Sequence, residues 1–512
     1  MAFYHGAKSR QNPTALVPTR QISAAIPVAV GCAPIHRLKN QGNAAKNGDI
    51  ALCYEYSEAA ATLGCSQDDD FERWGLSEAA YSSFIMFATA PAIFINLFDP
   101  KVHKAAVIDE LVTVKNGVGQ LAHEDVIEVT DVTAVTRILL AAEGDQQGLI
   151  TTENGNPIAT EDSTLSVDGA VEGTDFTLNH AKGQMLIADG GTLPQNGQLT
   201  VSYTYARPEA VTALDAIGGA DYDTGQVTGL QLVDRVFPQF RVVPGIIIAP
   251  GFSDDPSVAA IMAVKAGAMN TVFRGVALAD LPVEGLANYT RVPAYKNNNN
   301  LAQEDLYLCW PRCVFGGRVM RMATQAAGLI GKTDADNNDV PYVSPSNKSL
   351  QMQSLTTDGS DQLWLTLEQA NYLNENGIAT GLNFVGGWKL WGNRTACYPD
   401  VTDVKDNFLT NRRMFGWYGN NLTLTWWQKV DDAITRRFVQ TIVNSEQITL
   451  NTMTANGYIL GGRIEFNSEE NSTADLMDGI TVFHVYLGTA SPAEQIHFAL
   501  EYDPDYLSTL FE

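Results

Sequence analysis

The run AAGLIGKT at residues 326–333 has the loosest form of a phosphate-binding loop, with Ala326 in place of the first glycine. Such a loop works because a buried strand enters it and a helix leaves it, so that successive backbone N–H groups surround the phosphates. Here the order is reversed. The preceding VMRMATQ has helical texture, and the following TDADNNDVP brings Asp334, Asp336 and Asp339, which repel a nucleotide. The run reads instead as the C-terminus of a helix, with Gly331 near its end. Asp334, Asp336 and Asn338 also stand at alternate positions, as in a calcium loop. Asp339, however, occupies the place of the turn glycine and Pro345 that of the bidentate Glu. The run therefore reads as a solvated loop. Asp68, Asp69 and Asp70, without companion ligands in sequence, read as a helix N-terminus or exposed loop.

Three other arrangements fail on context. Gly117, Gly119 and Ala122 keep the spacing of a dinucleotide fingerprint, but polar HEDVIEVT follows where an amphipathic helix is needed. Asn116-Gly117 is a hairpin turn signal instead. Cys309 and Cys313 form a C-x3-C pair with no second cysteine pair near them, and zinc needs about four ligands. All seven histidines (His5, His36, His103, His123, His180, His484 and His497) fall outside residues 181–483. The middle of the chain thus offers no histidine to a Ser/His/Asp or Cys/His arrangement. No catalytic residue, cofactor or metal site is expected.

The elements that would have to position such chemistry are those of a large globular chain. With 512 residues, 45% of them hydrophobic and 18% charged, the chain can bury substantial cores and divides into roughly three domains. Its net charge of −25 argues against a nucleic-acid or anionic-membrane partner, which would need clustered Lys and Arg. Residues 105–230 hold nineteen acidic side chains against four basic ones. Residues 465–512 hold ten acidic and no basic residues, whereas residues 1–50 hold six basic and one acidic. The ends of the chain are oppositely charged. Six cysteines (Cys32, Cys53, Cys65, Cys309, Cys313 and Cys397) are too few for a disulfide framework in this length. No apolar run approaches the roughly 18–20 residues of a membrane span. ISAAIPVAVGCA at residues 22–33 imitates a signal segment, but Pro27 interrupts it, and a first buried strand explains it better.

Texture changes along the chain suggest boundaries. Residues 1–20, with Pro13 and Pro18, read as an N-terminal extended arm, and residues 21–100 as a first α/β stretch. Residues 101–208 carry short β-branched runs such as ELVTV, VIEVT and LTVSYTY punctuated by NG, DG and GG turns, which predicts an all-β insertion. In residues 209–393 long apolar runs alternate with helical ones. VVPGIIIAPG suits a strand buried on both faces, and Asp255 with Pro256 opens a helix. This pattern implies a parallel sheet with crossover helices. In residues 394–495, Val430, Ile434, Phe438 and Ile442 repeat every four residues and predict a helix over 430–443. In residues 496–512, Ile496, Phe498, Leu500 and Tyr502 alternate with His497, Ala499 and Glu501, the pattern of a half-buried strand.

Several segments together resemble the contractile tail sheath proteins of myoviruses and related injection machines. They are RQISAAIPVAVGCAP, YTYARPEAVTAL, VVPGIIIAPGFSDDPSVAAIM, VSPSNKSL and LNENGIATGLNFVGGWKLWGNRTA, the last holding the specific segment Trp391-Gly392-Asn393-Arg394-Thr395. The resemblance implies a discontinuous subtilisin-like α/β core, an inserted all-β domain and a C-terminal α/β assembly domain, with no protease activity. It implies a subunit that polymerises as stacked six-fold rings around a tail tube and contracts to drive the tube through the host envelope. The partners would be copies of itself, the tube protein, and the baseplate and tail terminator proteins. The location would be a virion tail assembled in the bacterial cytoplasm. A baseplate component is the alternative, and a subtilisin-like hydrolase a remote one.

In that family, N- and C-terminal arms add strands to a sheet in neighbouring subunits. Leu16, Val17 and Ile22 in the first arm and Ile496, Phe498, Leu500 and Tyr502 in the last are the candidate inter-subunit strand residues, with Pro18 confined to a strand start or edge. Arg412, Arg413, Arg436 and Arg437 are candidates for facing the tube. The basic first arm and acidic last segment would favour pairing between unlike ends of adjacent copies.

Overall fold

Apolar runs of three to six residues line up as the core of an eight-stranded sheet. The structure, a computed structural model, describes residues 22–135 and 170–511 apart from residues 41, 222 and 360. The first arm, with Leu16 and Val17, lies outside the described residues. Across the sheet the strands run Trp388–Trp391, Ile378–Asn383, Leu306–Cys309, Val276–Asp280, Ile246–Ile248, Pro27–Gly31, Ala92–Asn96 and Ile50–Cys53. The six inner strands are parallel to their neighbours, and the two edge strands are antiparallel. Every residue of Ile246–Ile248, Val276–Asp280 and Leu306–Cys309 is buried. That is why those runs are continuously apolar rather than alternating: helices or loops cover both faces.

Crossover helices sit where the sequence signals them. Helix Pro256–Gly267 opens with Asp255 accepting a hydrogen bond from the Ser257 N–H (2.8 Å) and with proline in the first turn. Helix Met322–Ala335 contains the AAGLIGKT run in its C-terminal part, with Gly331 near its end as expected. Gly328 and Gly331 serve close packing. A Cβ on Gly328 would lie 2.4 Å from the Phe87 ring, and one on Gly331 would lie 3.1 Å from Thr89. Because this run is helical, its N–H groups are spent inside the helix and none forms a phosphate cradle.

Between Ala92–Asn96 and Ile246–Ile248 the chain builds a six-stranded antiparallel sheet from Lys104–Lys115, Val118–Gln120, Val126–Val135, Phe176–Asn179, Gln184–Ile187 and Gly197–Ala206. Asn116 and Gly117 both have positive φ (51° and 76°) at the first hairpin, the conformation that selects this dipeptide. Val112, Val114, Phe176, Met185, Leu199, Val201 and Tyr203 form a separate apolar cluster. Asp125 ties this sheet to the core. It accepts from Arg37 Nε (2.8 Å), Arg73 Nη1 (2.8 Å) and Trp74 Nε1 (3.1 Å). Burial alone would raise its carboxyl; neighbouring His36 and Arg37 outweigh that and hold it at about 2. Asp69 joins the same network by pairing with Arg37 and accepting from Ser77 Oγ (2.6 Å), which corrects its reading as an exposed loop residue.

The C-terminal region packs two long helices, Leu409–Trp426 and Arg436–Ala455, with the two-stranded sheet Gly461–Glu465 and His484–Gly488. Met414, Trp417, Tyr418, Ile442, Leu450, Met453, Ile459 and Ile464 form its core. The helix expected over 430–443 begins only at Arg436. Asp431 takes a positive φ of 69°, Thr435 caps the Phe438 N–H (3.1 Å), and Val430 stays exposed. Residues 489–503 adopt no strand, so the half-buried strand expected from their alternation is absent within the chain.

Candidate functional site

Buried charge and exposed apolar surface, rather than a cleft, distinguish the C-terminal region. Arg412 binds Asp305 through Nε (2.6 Å) and Nη2 (2.7 Å), and Asp406 through Nη1 (2.9 Å). Arg413 binds Asp334 through Nη1 (3.1 Å) and Nη2 (2.5 Å) and donates to the Ala24 carbonyl (3.2 Å). Their side chains are 9% and 3% exposed. These two arginines are therefore fold-forming rather than tube-facing, which corrects the expectation: a buried guanidinium must be met by internal acceptors, and Asp305, Asp334 and Asp406 meet it. Asp334, read from sequence as part of a solvated loop, is one of the most buried carboxylates in the chain. Arg436 and Arg437 remain exposed in the first turn of their helix.

Ile22 is also held by its own chain. Its N–H donates to Asn421 Oδ1 (3.1 Å), and its carbonyl accepts from Trp417 Nε1 (2.7 Å). This corrects its assignment to a strand pairing with a neighbour: both its backbone groups are spent within its own chain.

The last segment leaves the body in a defined way. Arg394 binds the Glu494 carboxylate through Nε (3.1 Å) and Nη2 (2.5 Å). Its guanidinium lies 3.7 Å from the centre of the Phe408 ring and 4.4 Å from that of Tyr398. Asn411 Nδ2 adds a bond to Ser491 Oγ (3.4 Å). Beyond this clamp Ile496, Phe498, Leu500 and Tyr502 are 69%, 83%, 94% and 78% exposed. Four large apolar side chains at alternate positions, all in water, are a surface made for contact. Arg394 lies in the WGNRT segment; its role could not be read there, because Glu494 is a hundred residues away.

The chemistry of the remaining candidates is closed. Cys309 and Cys313 are fully buried, and burial pushes both thiols well above their ordinary value. Among the described residues no group of three or more His, Cys, Asp or Glu is placed to hold a metal ion, and no helix is long and apolar enough to cross a membrane.

No family model matches the chain. The tail sheath protein of Burkholderia phage BcepMu is 26% identical, over 99% of this chain and 98% of that protein. A putative prophage major tail sheath protein of Pseudomonas aeruginosa strain UCBPP-PA14 is 26% identical over 60% of this chain and 76% of the relative. The tail sheath protein of Escherichia phage P2 is 24% identical over 59% and 74%. Among solved structures, the sheath of an extracellular contractile injection system (PVC) in its contracted state aligns with a TM-score of 0.57 and 11% identity, over 99% of both chains. The contracted helical sheath of the anti-feeding prophage aligns with a TM-score of 0.56 and 12% identity, over 97% of this chain and 99% of that one. The fold is shared from end to end with contractile sheaths, and a relative similar to this chain over nearly the whole of both is a tail sheath protein.

Proposed function

We propose that this protein is the structural subunit of a contractile phage tail sheath, polymerising as stacked six-fold rings around a tail tube and contracting to drive the tube through the host envelope. The carrying observation is the match to the BcepMu tail sheath protein over nearly the whole of both chains. The exposed segment 496–502 supports it independently, because a strand pattern with no strand partner among the described residues suits completion by another copy. On this reading the central parallel sheet corresponds to a subtilisin-like core without its catalytic function. The sheet between Lys104 and Ala206 is then an outward-facing insertion, and the region after Arg394 is the assembly domain. Leu16 and Val17 would act with the first arm in linking copies.

Arg436 and Arg437 are the remaining candidates for contact with the tube. Two exposed cations at a helix N-terminus oppose the helix dipole, and an anion on a partner would relieve that opposition. Baseplate and terminator proteins would bind the two ends of the polymer, in a virion tail assembled in the host cytoplasm.

Negative-stain microscopy of the purified protein tests the reading. Striated hollow cylinders are expected, and a protein that stays as discrete particles at every concentration and salt condition refutes it. Charge reversal at both arginines (R436E with R437E) should abolish co-assembly with purified tube while leaving self-assembly intact. Unchanged tube binding removes their assignment.

A further inference from the structure

One edge of the eight-stranded sheet ends in a turn that carries apolar side chains into water. Strands Ile378–Asn383 and Trp388–Trp391 pair antiparallel, with Asn383 opposite Trp388, and residues 384–387 join them. Gly386 and Gly387 supply the positive φ (74° and 89°) of the turn. The other two positions are free to be polar, yet they hold Phe384 and Val385, 67% and 73% exposed. Trp364, 58% exposed, stacks on Trp388 at the same end of the hairpin, the ring centres 5.4 Å apart. This edge offers no free backbone to a partner, because residues 347–350 run along it. The Asn347 N–H donates to the Leu390 carbonyl (2.6 Å), the Leu350 N–H to that of Trp388 (3.0 Å), and the Leu390 N–H to that of Lys348 (3.0 Å). What it presents is the cluster of side chains at the tip.

The last segment leaves the body beside this tip. Phe384 and Glu494 line the same groove, of about 930 Å³, together with Trp391, whose Nε1 donates to Asn371 Oδ1 (2.9 Å). Arg394 holds Glu494, and Ile496 follows two residues later. Two residues span at most about 7 Å, and a paired strand lies about 5 Å from its partner. A copy that takes up residues 496–502 from this clamp therefore brings its backbone within about 12 Å of Glu494, close to the roughly 10 Å at which packed layers lie face to face. At that distance the two bodies meet through their side chains.

Resting on the sheath reading above, we infer that Phe384 and Val385, with Trp364, form a body-to-body contact with the same neighbouring copy that receives residues 496–502. The short tether fixes the occupant, since it holds one particular copy against the tip at high effective concentration. Large apolar and aromatic side chains that close against a neighbour are the groups that carry most of an interface's energy. The contact also has a distinct task. An arm alone leaves the neighbour free to swing about the point where the chain leaves the body, whereas a second attachment fixes its orientation as well as its proximity.

Photochemical capture tests the contact directly. With p-benzoylphenylalanine replacing Val385, irradiated cylinders are expected to give covalent dimers of the chain at a yield at least about tenfold above that of the unassembled subunit. Phe384→Ser combined with Val385→Ser should leave urea unfolding of the subunit unchanged, because both side chains are already in water. It should raise the concentration needed for assembly at least about tenfold. Cylinders that form normally but give no dimers from position 385 overturn the inference, and so does a double variant that assembles at the parental concentration. Both of those outcomes leave the sheath reading standing. If the unmodified protein forms no cylinders at any concentration or salt condition, it is the sheath reading that fails.

Discussion

The helix Leu409–Trp426 and the segment 496–502 invert the usual placement of polar and apolar residues. The helix buries Arg412, Arg413, Asn420 and Asn421, whereas the segment exposes Ile496, Phe498, Leu500 and Tyr502. The buried charges find their partners inside the chain, in Asp305, Asp334 and Asp406. The exposed apolar groups find none among the described residues. The difference separates two tasks: polar residues inside make this fold specific, because a misplaced helix would strand a charge, and apolar residues outside offer a contact surface, which on the proposed reading another copy covers.

The contrast breaks most sharply at Arg413. Asp334→Ala leaves its guanidinium buried with half its partners gone, and the expected loss of folding stability is about 3–5 kcal/mol. Denaturant unfolding of the unassembled subunit measures it. A loss below about 1 kcal/mol, with tube binding lost instead, would return Arg413 to the tube surface. The complementary variant, Phe498→Ser with Leu500→Ser, should leave unfolding within about 0.5 kcal/mol of the parent, because both side chains are already in water. It should raise the concentration needed for assembly at least about tenfold, a shift of about 1.4 kcal/mol. Lost stability without lost assembly would erase the distinction.

Asp280 sharpens the buried side of the comparison, since unlike Asp334 it is buried without an arginine in contact. It accepts from the Ala323 N–H (2.8 Å) and lies 3.4 Å from Ser253 Oγ. Burial raises its carboxyl to about 7 from an ordinary 3.8. The folded chain therefore holds this proton more tightly than the unfolded one. Its contribution is complete below pH about 4, declines as pH rises through 7, and is flat above that. Unfolding free energy measured from pH 4 to 8 should fall less steeply in Asp280→Asn than in the parent. A steeper fall in the variant would mean that Asp280 is ionised in the folded state.

What was legible in the sequence divides along the same line. The strands Pro27–Gly31, Ile246–Ile248 and Val276–Asp280 and the helix after Asp255 follow from local pattern, because buried parallel strands and N-caps are written in adjacent residues. The alternation of residues 496–502 was equally legible, and what it lacked was a partner. The pairings of Arg412 with Asp305, Arg413 with Asp334 and Arg394 with Glu494 were illegible, since each joins positions roughly 80 to 107 residues apart. The packing role of Gly331 was illegible because its neighbours in sequence say nothing of Thr89, against which it packs. The helix at residue 430 failed for a related reason: Val430 and Ile434 keep a helical spacing while Asp431 turns the chain left-handed between them. They line a groove instead of a helix face.

The smallest effect concerns the charges at the two ends. Residues 1–50 carry a net +5, and residues 465–512 carry ten acidic side chains without a basic one. Such ends on adjacent copies attract across a distance set by salt: the screening length is about 10 Å near 0.1 M and about 3 Å near 1 M. Raising salt from about 50 to about 500 mM should therefore slow polymerisation severalfold, while the apolar contact of residues 496–502, which gains rather than loses strength with many salts, continues to hold assembled cylinders together. Light scattering separates the two effects, growth rate reporting the charges and end-point mass the apolar contact. A growth rate indifferent to salt would show that the apolar segment acts alone. A falling end-point with an unchanged rate would reverse the assignment, making charge the cohesive term and apolar burial the steering one.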